Sequence, residues 1–200
     1  MDEDYKKKII PFFNNIAWFY DIAEIVLSPT RKAAVNINPI FPSTKVIDFC
    51  TGTGAVALAF SQRSDHVIGI DLSQGMLKRS QRKSEKIHFL LMDATKTTFR
   101  RHEFDVGIIS FALHDMPYRV RVMVLKEMKR VCKQRIIVVD YCAPRHTSLR
   151  WLYRTFISLY ETSYFKDFIN RDVHSLFASG GLDVMKEQKV GLFKIYLLHP

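Results

Sequence analysis

The chain has 200 residues, enough to bury one hydrophobic core in a single domain, and its 48% apolar and 25% charged residues exclude a disordered or fibrous protein. Lys and Arg number 30 against 20 Asp and Glu, a formal charge of +10, which suits nucleic acid, anionic lipid or an acidic substrate as readily as plain solubility. The three cysteines, Cys50, Cys132 and Cys142, form no CxxC pair and argue against a disulfide framework or a zinc site, so a reducing, cytoplasmic setting is the simpler expectation.

Apolar side chains recur at roughly helical spacing over residues 5–27, with Pro11 as an interruption, which predicts one or two amphipathic helices. Pro11, Asn14, Asn15, Asp21 and Glu24 make that stretch a poor signal peptide. No apolar run is long enough to span a bilayer. Residues 28–44 read as a loop punctuated by Pro29, Pro39 and Pro42. From residue 45 a strict alternation begins. Short β-branched runs at 46–49, 66–70, 87–92, 104–109 and 135–140 flank helical patterns at 55–62, 73–83 and 118–131. Apolar strands alternating with helices predict a parallel sheet covered on both faces, a doubly wound α/β fold. The link 93–103 is short and irregular. After an aromatic-rich segment, 146–169, a helix is opened by Asn170 or Asp172 and closed by Gly180-Gly181. Strands at 182–187 and 192–198 then form an antiparallel hairpin around 189–191.

The most informative stretch is Val46-Ile47-Asp48-Phe49-Cys50-Thr51-Gly52-Thr53-Gly54. A hydrophobic strand ends in a glycine turn and feeds a helix, where the backbone can approach a ligand. Gly52, Gly54 and Ala57 also satisfy the dinucleotide-binding G-x-G-x-x-A pattern. Asp71, closing the second strand, would grip ribose hydroxyls in either cofactor class. Asp48 at the first strand end suits a cationic group such as a methionine amine, and Asp93 with Ala94 at the third strand end suits an adenine edge. Three acids closing successive strands tip the balance from a nicotinamide cofactor toward an adenosyl one; helix or turn capping is the bland alternative.

This arrangement resembles the class I S-adenosylmethionine-dependent methyltransferases, especially the ubiquinone/menaquinone-biosynthesis type and its small-molecule relatives. The matches are 48–54, Gly69-Ile70-Asp71-Leu72-Ser73-Gln74-Gly75-Met76-Leu77, Met92-Asp93-Ala94, Phe104-Asp105-Val106, residues 125–131, and upstream Tyr20-Asp21 with Leu27-Ser28. The resemblance implies a seven-stranded Rossmann-like sheet with S-adenosylmethionine as cofactor. It implies that Asp48 and the turn Cys50, Gly52 and Gly54 hold the methionine moiety, and that Asp71 holds the ribose. Leu72 would touch the cofactor and Met76 would pack near adenine, with Asp93 accepting from its amino group beside the Ala94 amide. Ser110 and Phe111 would line the methionine end, and Tyr20 would close over the cofactor. Cys50 stands where many relatives have glycine, Ala55 replaces an acid common in the quinone enzymes, and 133–135 lacks their Pro-Gly-Gly turn. Leu113-His114-Asp115-Met116-Pro117 replaces their Arg-Asn pair at a position facing substrate.

Methyl transfer from a sulfonium is an in-line displacement that needs alignment, exclusion of water and, for a protic acceptor, a base. His114, after the fourth strand, is the first candidate base, with Tyr141 second. The alternative for His114 is a helix-entry residue with Asp115 as cap. Ser110-Phe111-Ala112-Leu113 differs from the Asn/Asp-Pro-Pro-aromatic run of enzymes that methylate base amines, and no Pro-Cys pair is present. The expectation is a single domain over 1–200: a helical cover at 1–44, a cofactor-binding core at 45–145, and at 146–200 the aromatic segment, last helix and hairpin. Its expected activity is methyl transfer to a small or lipid-like molecule. The rivals are an RNA methyltransferase using the basic surface and a non-catalytic S-adenosylmethionine-binding regulatory or partner protein. Aromatics between 151 and 168, interleaved with Arg145, Arg150, Arg154, Lys166 and Arg171, either pack on the sheet or join the acceptor pocket and touch an anionic membrane.

Overall fold

The computed structural model describes residues 3–142 and 164–200, the side chains of 3 and 15–26 excepted. Five parallel strands, β1 (Lys45–Phe49), β2 (His66–Asp71), β3 (His88–Leu91), β4 (Phe104–Ser110) and β5 (Cys132–Tyr141), are joined by an antiparallel pair, β6 (Asp183–Val190) and β7 (Phe193–His199). Their order is β3-β2-β1-β4-β5-β7-β6, with β7 antiparallel to both of its neighbours. β1 therefore has β2 on one side and β4 on the other. The chain reverses its direction of winding there, and α/β sheets open a ligand crevice at the carboxyl ends of such strands.

The period of two along each strand feeds two separate cores. Ile47, Ile109, Ile136 and Leu198 face one side, where Leu125 and Met128 of α4 (Tyr118–Val131) and Leu176 and Phe177 of α6 (Val173–Ser179) cover them. Val46, Ile108, Ile137 and Leu197 face the other, under Ala57 and Phe60 of α2 (Ala55–Phe60) and Leu77 of α3 (Gln74–Lys83). A short α5 (Phe165–Asn170) precedes α6. Asp172, rather than Asn170, caps α6, its carboxylate accepting from the His174 and Ser175 amides at 3.1 Å each.

The N-terminal segment departs from expectation. One helix, α1 (Glu3–Asn36), runs through both Pro11 and Pro29, so residues 28–36 are helical and not loop. Each proline removes one helical hydrogen bond, but tertiary packing holds both ends. Tyr5 and Ile9 are buried in the first core, and Ala34 and Val35 in the second. Midway, Asn14 Oδ1 accepts from Ser73 Oγ (2.6 Å) and the Gly75 amide (2.9 Å), tying α1 to the start of α3.

β5 begins three residues before the expected 135, with Cys132 capping α4 and opening the strand together, so no turn separates the two elements. The irregular link 93–103 is pinned to α4 by Glu127, whose Oε1 accepts from the amide and hydroxyl of Thr97 at 2.7 and 2.6 Å. Trp151, Tyr153, Phe156, Ile157 and Tyr160, with Arg145, Arg150 and Arg154, lie outside the described residues. Of the rest of that segment, Phe165 and Phe168 are buried in the first core, while Arg171 pairs with Asp167 at 2.6 Å and lies over the Tyr118 ring. No described helix is long and apolar enough to cross a membrane.

Candidate active site

A cleft of about 130 Å³ opens at the carboxyl ends of β1, β2 and β4, roofed by α1. Its floor is the turn after β1. Cys50 and Gly52 both take positive φ, 54° and 55°, the left-handed conformation that costs a side-chain-bearing residue but not glycine. A Cβ added to Gly52 would meet nothing within 4 Å, so that backbone faces open space. At Gly54 (φ 81°) it would strike Ser80 Cβ at 2.8 Å and the Phe89 ring at 2.9 Å. Gly52 thus leaves room for a ligand, and Gly54 leaves room for α3 and β3.

Of the three acids at the strand ends, Asp48 and Asp71 hold this turn and Asp93 does not. Asp48 is wholly buried beneath it. Its Oδ2 accepts from Thr51 Oγ1 (2.7 Å) and the Ala57 amide (3.1 Å), while its buried Oδ1 has no hydrogen-bond partner. Burial pushes the carboxyl up to about 7 despite those two bonds. Asp71 lines the cleft and accepts from the Gly52 amide (2.8 Å) and the Ser73 amide (2.8 Å); burial raises it too. These bonds leave part of the carboxylate's lone-pair capacity for a ligand's hydroxyls. Asp93 sits outside the cleft lining. It accepts from Thr95 through Oδ1 (2.7 and 2.8 Å) and pairs with Lys6 Nζ through Oδ2 (3.1 Å). Burial works against its ionisation, but the Thr95 bonds and the Lys6 ammonium outweigh it and hold the carboxyl below the usual range.

After β4 a single 3-10 turn, Leu113–Asp115, carries the other charged groups. His114 is buried, its Nδ1 2.7 Å from Asp140 Oδ1 and its Nε2 3.3 Å from Asp115 Oδ2. Burial disfavours the imidazolium, yet the two carboxylates overcome this and raise the ring well above its ordinary 6.5. Tyr141 stacks edge-on against His114 at 4.8 Å. Neither residue lines the cleft, whereas Asp115 does. Arg121, also fully buried, clamps the turn from behind through Leu113 O (2.8 Å), Asp167 Oδ2 (2.8 Å) and Tyr164 O (2.9 Å).

A methyltransferase-domain model matches residues 46–135, the span from β1 into β5. The demethylmenaquinone methyltransferase of Renibacterium salmoninarum is 29% identical over 157 residues, 75% of this chain and 65% of that protein. The Thermotoga maritima enzyme of the same name is 30% identical over 148 residues, 70% of this chain and 64% of that protein. The chain thus spans somewhat under two thirds of these relatives' own length. Among solved structures, magnesium protoporphyrin IX methyltransferase from Synechocystis PCC 6803, with bound S-adenosylhomocysteine, superposes with a TM-score of 0.72 at 14% identity, covering 98% of this chain and all of that one. Human N-acetylserotonin methyltransferase gives 0.68 at 18% identity, over 92% of this chain and 55% of that one. At such identities the structural likeness shows the fold alone. The chain carries a methyltransferase domain and has the fold of the class I S-adenosylmethionine-dependent methyltransferases.

Of the positions that the family resemblance marks, Cys50, Gly52, Asp71, Leu72, Met76, Ala94, Ser110 and Phe111 all line the cleft. Asp48, Gly54, Asp93, His114 and Tyr141 do not. The side chain of Tyr20 lies outside the described residues. Cys50 faces Asp71, Asp48 and Asp93, and burial together with those acids raises its thiol well above the ordinary value, which leaves it a neutral wall residue and no nucleophile. Among the described residues no cluster of three or more His, Cys, Asp or Glu could hold a metal ion.

Several lining residues carried no motif in the sequence. Tyr5, Ile9 and Phe13 reach the cleft from α1, and the Tyr5 hydroxyl donates to the Asp115 carbonyl at 3.3 Å. Phe111 takes φ 50°, a second strained position facing the cleft, of the kind that clusters at functional sites. Asp140, the partner of His114, ends a strand just as Asp48 and Asp71 do, and that repeated pattern was its one available signal.

Proposed function

We propose that this chain binds S-adenosylmethionine in the cleft and transfers its methyl group to a small, apolar or lipid-like acceptor. The observation that carries the reading is the make-up of the cleft at the β1/β4 reversal: the Gly52 backbone, the Asp71 carboxylate and the buried Met76 share it with apolar walls from Tyr5, Ile9, Phe13, Phe111 and Met116. Asp71 takes the ribose hydroxyls, Leu72 and Met76 pack on adenine, and the Ala94 amide meets its edge. Asp93 reaches the adenine amino group once Lys6 yields it. Asp48 works from below, holding Thr51 and Ala57 so that the turn keeps its shape, and Ser110 and Phe111 border the methionine end.

When bound, the cofactor supplies an electrophilic methyl group on a sulfonium. The residues of this chain then have to align the acceptor in line with that methyl and keep water away. Apolar side chains of α1 suit both tasks. The demethylmenaquinone methyltransferases among its relatives support an apolar acceptor. RNA is the less favoured reading, because Arg31 is the sole basic side chain among the described residues that line the cleft. Incubation with labelled-methyl S-adenosylmethionine and cell extract, followed by separation into lipid, small-molecule, RNA and protein fractions, tests the proposal. Label is expected in the lipid or small-molecule fraction. Label confined to RNA or protein rejects the acceptor class, and no label in any fraction favours the non-catalytic binding role.

A further inference from the structure

Asn14 of α1 does not line the cleft, yet Ser73 links it to the carboxylate that does. Asn14 Oδ1 accepts from Ser73 Oγ (2.6 Å) and from the Gly75 amide (2.9 Å). The Ser73 amide donates in turn to Asp71 Oδ1 (2.8 Å), while Asp71 Oδ2 accepts from the Gly52 amide (2.8 Å). Gly52, Asp71 and Ser73 line the cleft; Gly75, like Asn14, does not. We propose that Asn14 and Gly75 form a latch through which α1 sets the placement of Asp71, so that Asn14 is a positioning residue for the cofactor's ribose. This rests on the S-adenosylmethionine reading of the cleft.

The donors at the start of α3 explain why a second helix is needed. The first amides of a helix have no partner within it. Ser73 caps one of them, its Oγ accepting from the Met76 amide (3.1 Å). A hydroxyl has one hydrogen to give, and here it goes to Asn14. The Gly75 amide goes to the same oxygen, whose two lone pairs can take both donors. One turn of α3 is thus completed by a side chain 59 and 61 residues away in sequence.

Gly75 carries the same message from the other side of the contact. It does not take the left-handed backbone, so its conformation does not call for glycine, and alanine is the better helix former. The neighbour calls for it instead. A Cβ there would lie 2.8 Å from Asn14 Oδ1, 3.1 Å from Asn14 Cα and 3.3 Å from the Asn14 carbonyl oxygen. A side-chain oxygen can swing aside, but the backbone atoms yield only if α1 lifts off α3. Glycine permits this close approach. Phe13, next to Asn14, lines the cleft, as do Ile9 and Ile10 one turn earlier, so one contact sets both the apolar wall and the Asp71 loop. Lys6 and Tyr5 tie the start of α1 separately to Asp93 and to the Asp115 carbonyl. Loss of the latch therefore loosens Asp71 without detaching α1.

Adenosine, with both ribose hydroxyls, and 2′,3′-dideoxyadenosine, with neither, test this in competition against labelled S-adenosylhomocysteine on wild type, Asn14→Ala and Gly75→Ala. Wild type is expected to prefer adenosine by about tenfold or more, the scale of one hydrogen bond to a charged group. In each variant the preference is expected to shrink to about threefold, roughly half of that gain in free energy. The double variant is expected to lose no more, because both changes act on one contact. Lowered stability does not move a ratio between two ligands on the same folded protein, so a merely structural contact would leave it unchanged. A wild-type ratio in folded Asn14→Ala, or in Gly75→Ala should Asn14→Ala fail to fold, overturns the inference and leaves the cofactor reading intact. Equal competition by the two nucleosides on wild type, or competition by neither, removes the ribose role of Asp71 and this inference with it. Failure of S-adenosylhomocysteine itself to bind rejects the methyltransferase reading beneath both.

Discussion

Asp48→Asn isolates the cost of building the cofactor turn over a buried acid. In the folded protein the Asp48 carboxyl is pushed up to about 7 from an ordinary 3.8, chiefly by burial, with one oxygen lacking any hydrogen-bond partner. A folded-state value above the unfolded one means that the folded chain holds a proton which the unfolded chain has released. The resulting stability is fully present below pH 3.8 and is lost as pH rises to about 7, above which the contribution is flat. At about 1.36 kcal/mol per unit the whole loss is roughly 4 kcal/mol, an order-of-magnitude figure. Asparagine cannot ionise, yet it keeps an oxygen for Thr51 and Ala57. Its stability relative to wild type should therefore climb by roughly 4 kcal/mol between about pH 4 and pH 8, whatever its fixed offset. Urea unfolding followed by circular dichroism, on both proteins at matched pH values, measures that difference while cancelling every other titrating group. A difference that stays constant with pH would refute the claim that Asp48 is buried as an unpaired acid.

Gly52→Ala should fold with a loss of about 1–2 kcal/mol for its left-handed backbone but bind S-adenosylhomocysteine poorly. Gly54→Ala should lose about 3 kcal/mol or more, since strain and collision add there; comparing melting temperatures with calorimetric affinities separates the two. His114→Ala strands Asp115 and Asp140 as buried like charges and should cost about 3–5 kcal/mol. Because the folded His114 is raised above its ordinary 6.5, that deficit should be largest below this pH and shrink as pH rises through the folded value. Lys6→Met should leave Asp93 available to adenine and tighten S-adenosylhomocysteine binding by about 0.5–1 kcal/mol, the worth of a partly exposed ion pair; weaker binding would mean that Lys6 supports the cofactor instead.

The parallel sheet was legible because largely apolar strands such as 46–49 and 135–140 call for cover on both faces. The hairpin was legible from Gly191 between two strand patterns. What escaped notice depended on distant partners. Pro29 marks a helix end in isolation, but burial of Ala34 and Val35 against the sheet keeps α1 helical beyond it. Asp48 and Asp71 both close strands, yet one is sealed under the turn and the other faces the cleft, a difference set by the pleat and by Thr51. His114 reads as a base because an isolated imidazole titrates near neutrality; the carboxylates of Asp140, 26 residues on, and Asp115, which raise it well above that range, are not visible in the local sequence pattern. The acceptor wall contributed by Tyr5, Ile9 and Phe13 carries no motif, since any apolar residue of suitable size can line a pocket.

The central claim, an adenosyl cofactor held at the β1/β4 reversal by Asp71, is tested most directly by calorimetry with S-adenosylhomocysteine and NAD on wild type and Asp71→Ala. S-adenosylhomocysteine should bind wild type and NAD should not, and loss of the carboxylate should weaken S-adenosylhomocysteine binding by about 1–3 kcal/mol, the scale of charge-assisted hydrogen bonds. Tight NAD binding, or equal S-adenosylhomocysteine affinity in folded Asp71→Ala, would contradict it.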